Sequence, residues 1–171
     1  MERTLVILKP SCIQRGLIGR VISRFEQKGL QLAAMKMVQL DDKILSAHYA
    51  HLKNKPFFTN VKESMMVCPV VIMCWEGKEA IRVVRNLTGY TNGRDALPGT
   101  IRGDFSVSMQ ENIIHTSDTA KSAKAELKRF FKEEDISIRL GTIIKELHPE
   151  EKKITTNTDE EIQYDTLVLA T

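Results

Sequence analysis

The sequence predicts one α/β body followed by a short β-rich extension, and three observations predict it. Short apolar runs of strand length alternate with amphipathic stretches of helical period, a long segment rich in glycine interrupts the second half, and the sign of the charge reverses near residue 133. With 171 residues, 42% hydrophobic and 27% charged, the chain has the composition of a folded globular protein and not of a disordered or fibrous one. Its length allows one ordinary domain plus added material.

Residues 4–9 (TLVILK) make a β-rich run closed by Pro10, and Ser11 stands where a helix N-cap is expected. Ile13, Leu17, Ile18, Val21, Ile22 and Phe25 then recur at helical spacing until Gly29 stops them. Residues 30–40 read as a strand with Leu30, Leu32, Ala34, Val38 and Leu40 on one face and Ala33, Met35 and Met37 on the other. Asp41 and Asp42 open a helix reaching about Leu52, and Pro56 opens another reaching about Met66. Residues 69–75 form a continuous apolar run, expected as a buried strand, and Gly77 separates it from a helix ending near Leu87. Residues 88–112 hold four glycines and Pro98 with little periodicity, which predicts a long loop of the kind that carries function. Ile113 and Ile114 predict a short buried strand leading into His115. Residues 119–131 then predict a helix with Ala123, Leu127, Phe130 and Phe131 on one side. Beyond a compositional seam near Asp135, residues 136–147, 153–158 and 162–170 read as three further strands.

Residues 1–132 contain 21 Lys and Arg against 12 Asp and Glu, a balance of +9, whereas residues 133–171 contain 4 against 10, a balance of −6. A basic body suits a polyanion, whether nucleic acid or a nucleoside triphosphate, and charge alone does not choose between them. The longest apolar run, residues 65–75, is interrupted by Pro69 and falls short of the ~20 residues that span a bilayer, so no membrane segment is expected. The first apolar stretch is closed by Lys9 and Pro10, too early for a signal peptide. Cys12, Cys68 and Cys74 are odd in number and lack C-x-x-C spacing, which argues against a disulfide framework or a zinc site and for a cytoplasmic protein.

Neither glycine-rich phosphate-loop pattern is present, so a phosphate site here must rely on side chains. The segments TLVILKP, QRGLIGRVISRFEQKGL, HYAHLKNKPFF, PGTIRGDF and NIIHTSD follow the order and spacing of the nucleoside diphosphate kinase family, which residues 1–136 resemble throughout. The resemblance implies an α+β sandwich: a ferredoxin-like βαββαβ core with an antiparallel four-stranded sheet and added helices. It also implies a homo-oligomer, tetramer or hexamer, and dependence on Mg2+ held mainly by nucleotide phosphates. The implied reaction passes the γ-phosphate of ATP or another nucleoside triphosphate to a nucleoside diphosphate, by a ping-pong route through phosphorylated His115.

Carried over position by position, the resemblance makes His115 the nucleophile, a role suited to a neutral imidazole. Glu126 holds its ring, and Ser117 supplies a nearby hydroxyl. Lys9, Arg85 and Arg102 correspond to the family's cations, which fits a reaction whose catalysis is mostly electrostatic and positional. Tyr49, Thr91 and Asn112 correspond to its hydrogen-bonding residues. Phe57 and Val61 correspond to the apolar clamp on the base, which reads a π-face and implies broad base specificity.

Other residues admit blander readings. His48 and His51 stand three apart, and two ligands without an obvious third suggest a solvated helix face more than a metal site. Lys121, Lys124, Lys128 and Arg129 form a charged face that suits solvent or nucleic acid. The sequence departs from the family pattern at Ser11-Cys12, where Asp-Gly is usual, at Lys55 in place of a frequent arginine, and at Gly93 in place of a proline, from which a softer assembly is expected. These departures motivate an alternative, a nucleotide or nucleic-acid binding module without phosphate exchange. Residues 136–171 resemble a fragment of FAD-dependent pyridine-nucleotide-disulfide reductases, but the fingerprint that would hold a flavin pyrophosphate is absent, so no flavin binding is expected.

Overall fold

Five consecutive residues of β1 (Glu2–Leu8), from Thr4 to Leu8, are fully buried, because this strand has a neighbour on each side and a layer of helices on each face. It pairs antiparallel with β3 (Val70–Gly77) and with β4 (Ile114–Thr116), while β3 pairs antiparallel with β2 (Gln31–Val38). The resulting order β2-β3-β1-β4 is the expected ferredoxin-like sheet. A computed structural model describes residues 1–131 and 142–164, which fall into two compact units within Met1–Lys132 and Glu133–Thr171.

Strand alternation sorts the core into two clusters. Val6 and Leu8 point to the face covered by α1 (Pro10–Gln14), α2 (Ile18–Gln27) and α5 (Ala80–Thr88), where Phe25 and Trp75 pack with ring centroids 5.2 Å apart. Leu5 and Ile7 point to the opposite face, against Leu45 of α3 (Asp42–His48), Met65 of α4 (Phe58–Met66) and Phe130 of α7 (Ala120–Phe130). Since Ile7 and His115 are cross-strand partners, His115 shares this second face.

Several local expectations are corrected. The helix expected after Ser11 starts two residues earlier, with Pro10 at its first position and Lys9 at the cap. The Ser11 hydroxyl caps nothing and is buried with no hydrogen-bond partner among the described residues. That helix is also broken: Gly16 at φ +63° ends α1, and α2 begins two residues later. The expected loop at 88–112 contains a short helix, α6 (Ile101–Phe105), capped by the Thr100 hydroxyl accepting from Gly103 N–H. At Gly93 a Cβ would overlap the Ser106 backbone, so the segment folded this way has room only for glycine. Thr119 caps α7 by accepting from Ser122 N–H at 3.1 Å, and Asp41 caps α3 by accepting from Ile44 N–H at 2.7 Å.

In the second unit β5 (Ile144–His148), β6 (Lys153–Thr156) and β7 (Glu161–Gln163) form an antiparallel sheet with Leu147, Ile154 and Ile162 in register across it. The expected strand segments 136–141 and 165–170 lie outside the described residues. No helix among the described residues is long and apolar enough to cross a membrane.

Candidate active site

β4 delivers His115 to the sheet edge through an unusual approach. Ile113, a β-branched residue, sits at φ +69°, and Ile114 N–H donates to Asn112 O at 2.7 Å, closing a γ-turn of the strained hand. Three consecutive carbonyls are thereby offered, one to the backbone of Lys9 and two to the guanidinium of Arg102. Lys9 N–H donates to Ile113 O at 2.8 Å, and the Arg102 guanidinium donates to Asn112 O at 3.3 Å and Ile114 O at 2.7 Å. Arg102 also donates to Gly89 O at 2.9 Å and is 5% exposed. Its buried fork is the clamp that ties the 88–112 segment to β4. Burial and the neighbouring Arg85 push Arg102 down to about 10.

The Lys9 ammonium donates to Asn112 Oδ1 at 2.6 Å, and the Asn112 amide donates to Thr91 O at 3.0 Å. Thr91 is thus engaged through its backbone, and its side chain is exposed. Burial and Arg102 push Lys9 down to about 8, so this ammonium is held against its solvation preference. Arg85 is exposed near the end of α5. It lines a shallow depression with Glu2, Glu79, Arg82 and Asp118, a hollow that includes neither His115 nor Lys9.

His115 Nε2 meets Glu126 Oε1 at 3.0 Å, and the Ser117 hydroxyl donates to Glu126 Oε2 at 2.6 Å. Burial alone would raise the Glu126 carboxyl. The hydrogen bonds from His115 and Ser117, with the nearby histidine rings, outweigh it and hold the group below its usual value, so it is ionised. An ionised acceptor on Nε2 selects the tautomer with the proton there, leaving the Nδ1 lone pair for chemistry. Tyr49 caps α3, buried, and its hydroxyl has no hydrogen-bond partner among the described residues. Burial raises its pKa, keeping it a neutral donor. Phe57 is 48% exposed at the start of α4 with Val61 one turn on, half-buried, whereas Phe58 joins the core.

The solvated reading of His48 is overturned. This residue is buried on the inner side of α3, edge-on to His115 at 4.6 Å and to Phe130 at 5.1 Å. Burial, with His115 adding to it and Glu126 opposing, pushes His48 down to about 3. It is uncharged at neutral pH, so its 3.9 Å approach to Glu126 is not an ion pair. Its spacing of three from buried Leu45 was the available signal for an inward position. His51 is exposed. At Cys12, burial pushes the thiol up to about 12, an inert state.

A model of the nucleoside diphosphate kinase family matches residues 2–136. The chain belongs to the nucleoside diphosphate kinase family. Nucleoside diphosphate kinase of Parabacteroides distasonis is 65% identical over 136 residues, covering 80% of this chain and 89% of that one. Nucleoside diphosphate kinase B of Bos taurus is 47% identical over 135 residues, covering 79% and 89%. Among solved structures, nucleoside diphosphate kinase of Encephalitozoon cuniculi superposes with a TM-score of 0.78 at 45% identity, over 81% of this chain and 95% of that one. The Halobacterium salinarum kinase, solved in complex with CDP, gives 0.77 at 39% identity over 82% and 94%. The family match thus accounts for the first unit and leaves most of the second outside it.

Proposed function

We propose that this chain is a phosphotransferase that moves the γ-phosphate of a nucleoside triphosphate to a nucleoside diphosphate through phosphorylated His115. The observation that carries this is the paired geometry at the imidazole: Nε2 is tied to an ionised Glu126 at 3.0 Å, while Nδ1 has no hydrogen-bond partner among the described residues. Nδ1 attacks phosphorus, the bond to the β-phosphate oxygen breaks, and the diphosphate leaves. A second diphosphate reverses the step. Glu126 stabilises the charge that develops on the ring, and Ser117 keeps Glu126 oriented. Lys9, Arg85 and Arg102 supply positive charge to the phosphates, Tyr49 and Asn112 supply donors, and Thr91 belongs to the same nucleotide-binding set. Phe57 and Val61 offer the base a face without a hydrogen-bond code, which supports broad base use.

The donor set suits Mg2+ that arrives on nucleotide phosphates. Glu126 is already committed to His115 and Ser117, and cations fill the rest, so these side chains provide no oxygen cage of their own. Mg2+ when bound would neutralise charge on the transferring phosphates. In the decisive test, protein is incubated with γ-labelled triphosphate and then with unlabelled diphosphate. Acid-labile, alkali-stable label should appear and then leave. His115→Asn that labels and exchanges like the parent would sink the mechanism, and nucleotide binding without exchange in the parent would favour a binding module.

Assembly as a homo-oligomer, tetramer or hexamer, is supported by β2, an edge strand on which Met35 and Met37 are each more than half exposed. Sedimentation would test it. The free thiols are consistent with a cytoplasmic location. Residues 137–171 belong to a separate unit that the reaction does not need. A chain truncated after Ile136 should keep its exchange rate, and the full chain should stay colourless after incubation with FAD.

A further inference from the structure

His48, His115 and Glu126 come from three different elements, α3, β4 and α7, yet their ligand atoms lie within 4.8 Å of one another. Glu126 Oε1 stands 3.0 Å from His115 Nε2 and 3.9 Å from His48 Nδ1. A tetrahedral zinc ion with bonds of about 2.0–2.1 Å to nitrogen and oxygen holds its donors roughly 3.4 Å apart. Side-chain shifts of about an ångström would turn this set into a ligating one. We propose that His48, His115 and Glu126 form an inhibitory site for a late first-row dication such as Zn2+, seated behind the ring of the nucleophile.

The chemistry selects the ion. Two imidazoles and one carboxylate, with a fourth position left for water, suit zinc, copper or nickel and not Mg2+, which wants an octahedron of oxygens. The site is therefore distinct from the magnesium carried by nucleotides. Glu126 is already oriented by the Ser117 hydroxyl at 2.6 Å, the kind of support that ligating carboxylates have. His48 brings a neutral ring packed between His115 and Phe130, so its orientation is fixed before any ion arrives. Arg129 opposes binding, since its guanidinium lies 3.3 Å from His48 Nδ1 and must swing aside. Arg129 thus sets the affinity.

On binding, the dication replaces the proton of His115 Nε2, which goes to solvent, and takes the Glu126 oxygen that had accepted it. The ring keeps its Nδ1 lone pair, but a dication on the other nitrogen draws electron density away and Glu126 no longer compensates. Nucleophilicity falls. The inhibition rests on reading His115 as the nucleophile, whereas the binding does not.

The test titrates the full chain with Zn2+ in the absence of nucleotide, against a chromophoric zinc indicator. One ion per chain is expected at this site. His48→Gln, His115→Asn and Glu126→Gln should each weaken binding by at least ~tenfold, and Arg129→Gln should tighten it. Lys9→Met, which disables the phosphate site without removing a ligand, and Cys68→Ser, which removes a partly exposed thiol, should leave it unchanged. Undiminished zinc binding in any of the first three, or loss in either control, would overturn the proposal. Should His48→Gln fail to fold, an Arg129→Gln protein with unchanged affinity does the same. Protein preloaded with Zn2+ should exchange phosphate more slowly in excess Mg2+, with recovery after a zinc-selective chelator. Intact zinc binding with full exchange activity would contradict the reading of His115 and not the site.

Discussion

Lys9 in the first unit and Lys153 in the second meet their partners in opposite ways. Lys9 donates to the neutral amide oxygen of Asn112 at 2.6 Å, beside the buried Arg102, and its pKa is pushed down to about 8. Lys153 bridges the exposed carboxylates of Glu151 at 2.8 Å and Glu161 at 3.0 Å, and their hydrogen bonds raise its pKa. The first arrangement concentrates positive charge that no carboxylate among the described residues pairs with. The second sets its cation between two solvent-exposed carboxylates, where such pairs contribute little. An uncompensated cation is a poor way to stabilise a fold and a good way to hold a polyanion, so the contrast supports the proposal that phosphate is held in the first unit.

The sharpest way to break this comparison is Lys9→Met. Exchange measured as kcat/KM should fall by about 10²- to 10³-fold, while Tm at pH 7 should rise. The sign follows from the depressed folded pKa: the penalty for holding Lys9 charged is fully present below about 8 and fades as pH climbs toward 10.5, where the unfolded lysine also loses its proton. The gain in Tm should shrink over that interval, and a variant that is both inactive and less stable would refute the argument.

Arg102→Met tests the opposite kind of cation, one whose donors are spent on the protein. Three carbonyls lose a donor, two of them held by the buried guanidinium at 2.9 Å or less, so unfolding should become easier by roughly 2–3 kcal/mol in urea titrations. An Arg102 whose only work was to hold phosphate would leave stability intact.

A smaller effect comes from His48. Its folded pKa of about 3 lies below the usual 6.5, so as pH falls below 6.5 the unfolded chain takes up a proton that the folded chain refuses. Stability should decline with acid by up to ~1.4 kcal/mol per pH unit between those values, and above 6.5 this residue should contribute no slope. His48→Gln should flatten that part of the curve, and an unchanged slope would count against a buried neutral ring. The smallest effect belongs to the second unit: Lys153→Met should leave the exchange rate and the transition of the first unit where they were. A shift in either would mean that the two units are coupled.

Much of this was legible in the sequence, and the gaps have physical causes. The ferredoxin-like order followed from the strand and helix periods together with the family resemblance, and the His115–Glu126 contact followed from that resemblance. The break at Gly16 was hidden because Ile13, Leu17 and Ile18 keep a helical spacing across it. α6 was missed because five residues carry too few turns to show a period. The positive φ at Ile113 could not be read, since β-branched residues avoid that region and only surrounding contacts enforce it. His48 was weighed only as half of a pair with His51, when its partner in register was Leu45.

The γ-turn at Ile113 also bears on how the chain can vary in length. Its three carbonyls are claimed from outside by the Lys9 backbone, just past β1, and by Arg102 in α6, so the residues ahead of His115 are indexed from two distant points. One added or deleted residue between Asn112 and His115 would rotate the imidazole out of line with Glu126. Outside those four residues the exposed Met109 and Gln110 can absorb insertions at little cost. Length polymorphism should therefore be tolerated a few positions upstream of His115 and forbidden immediately before it.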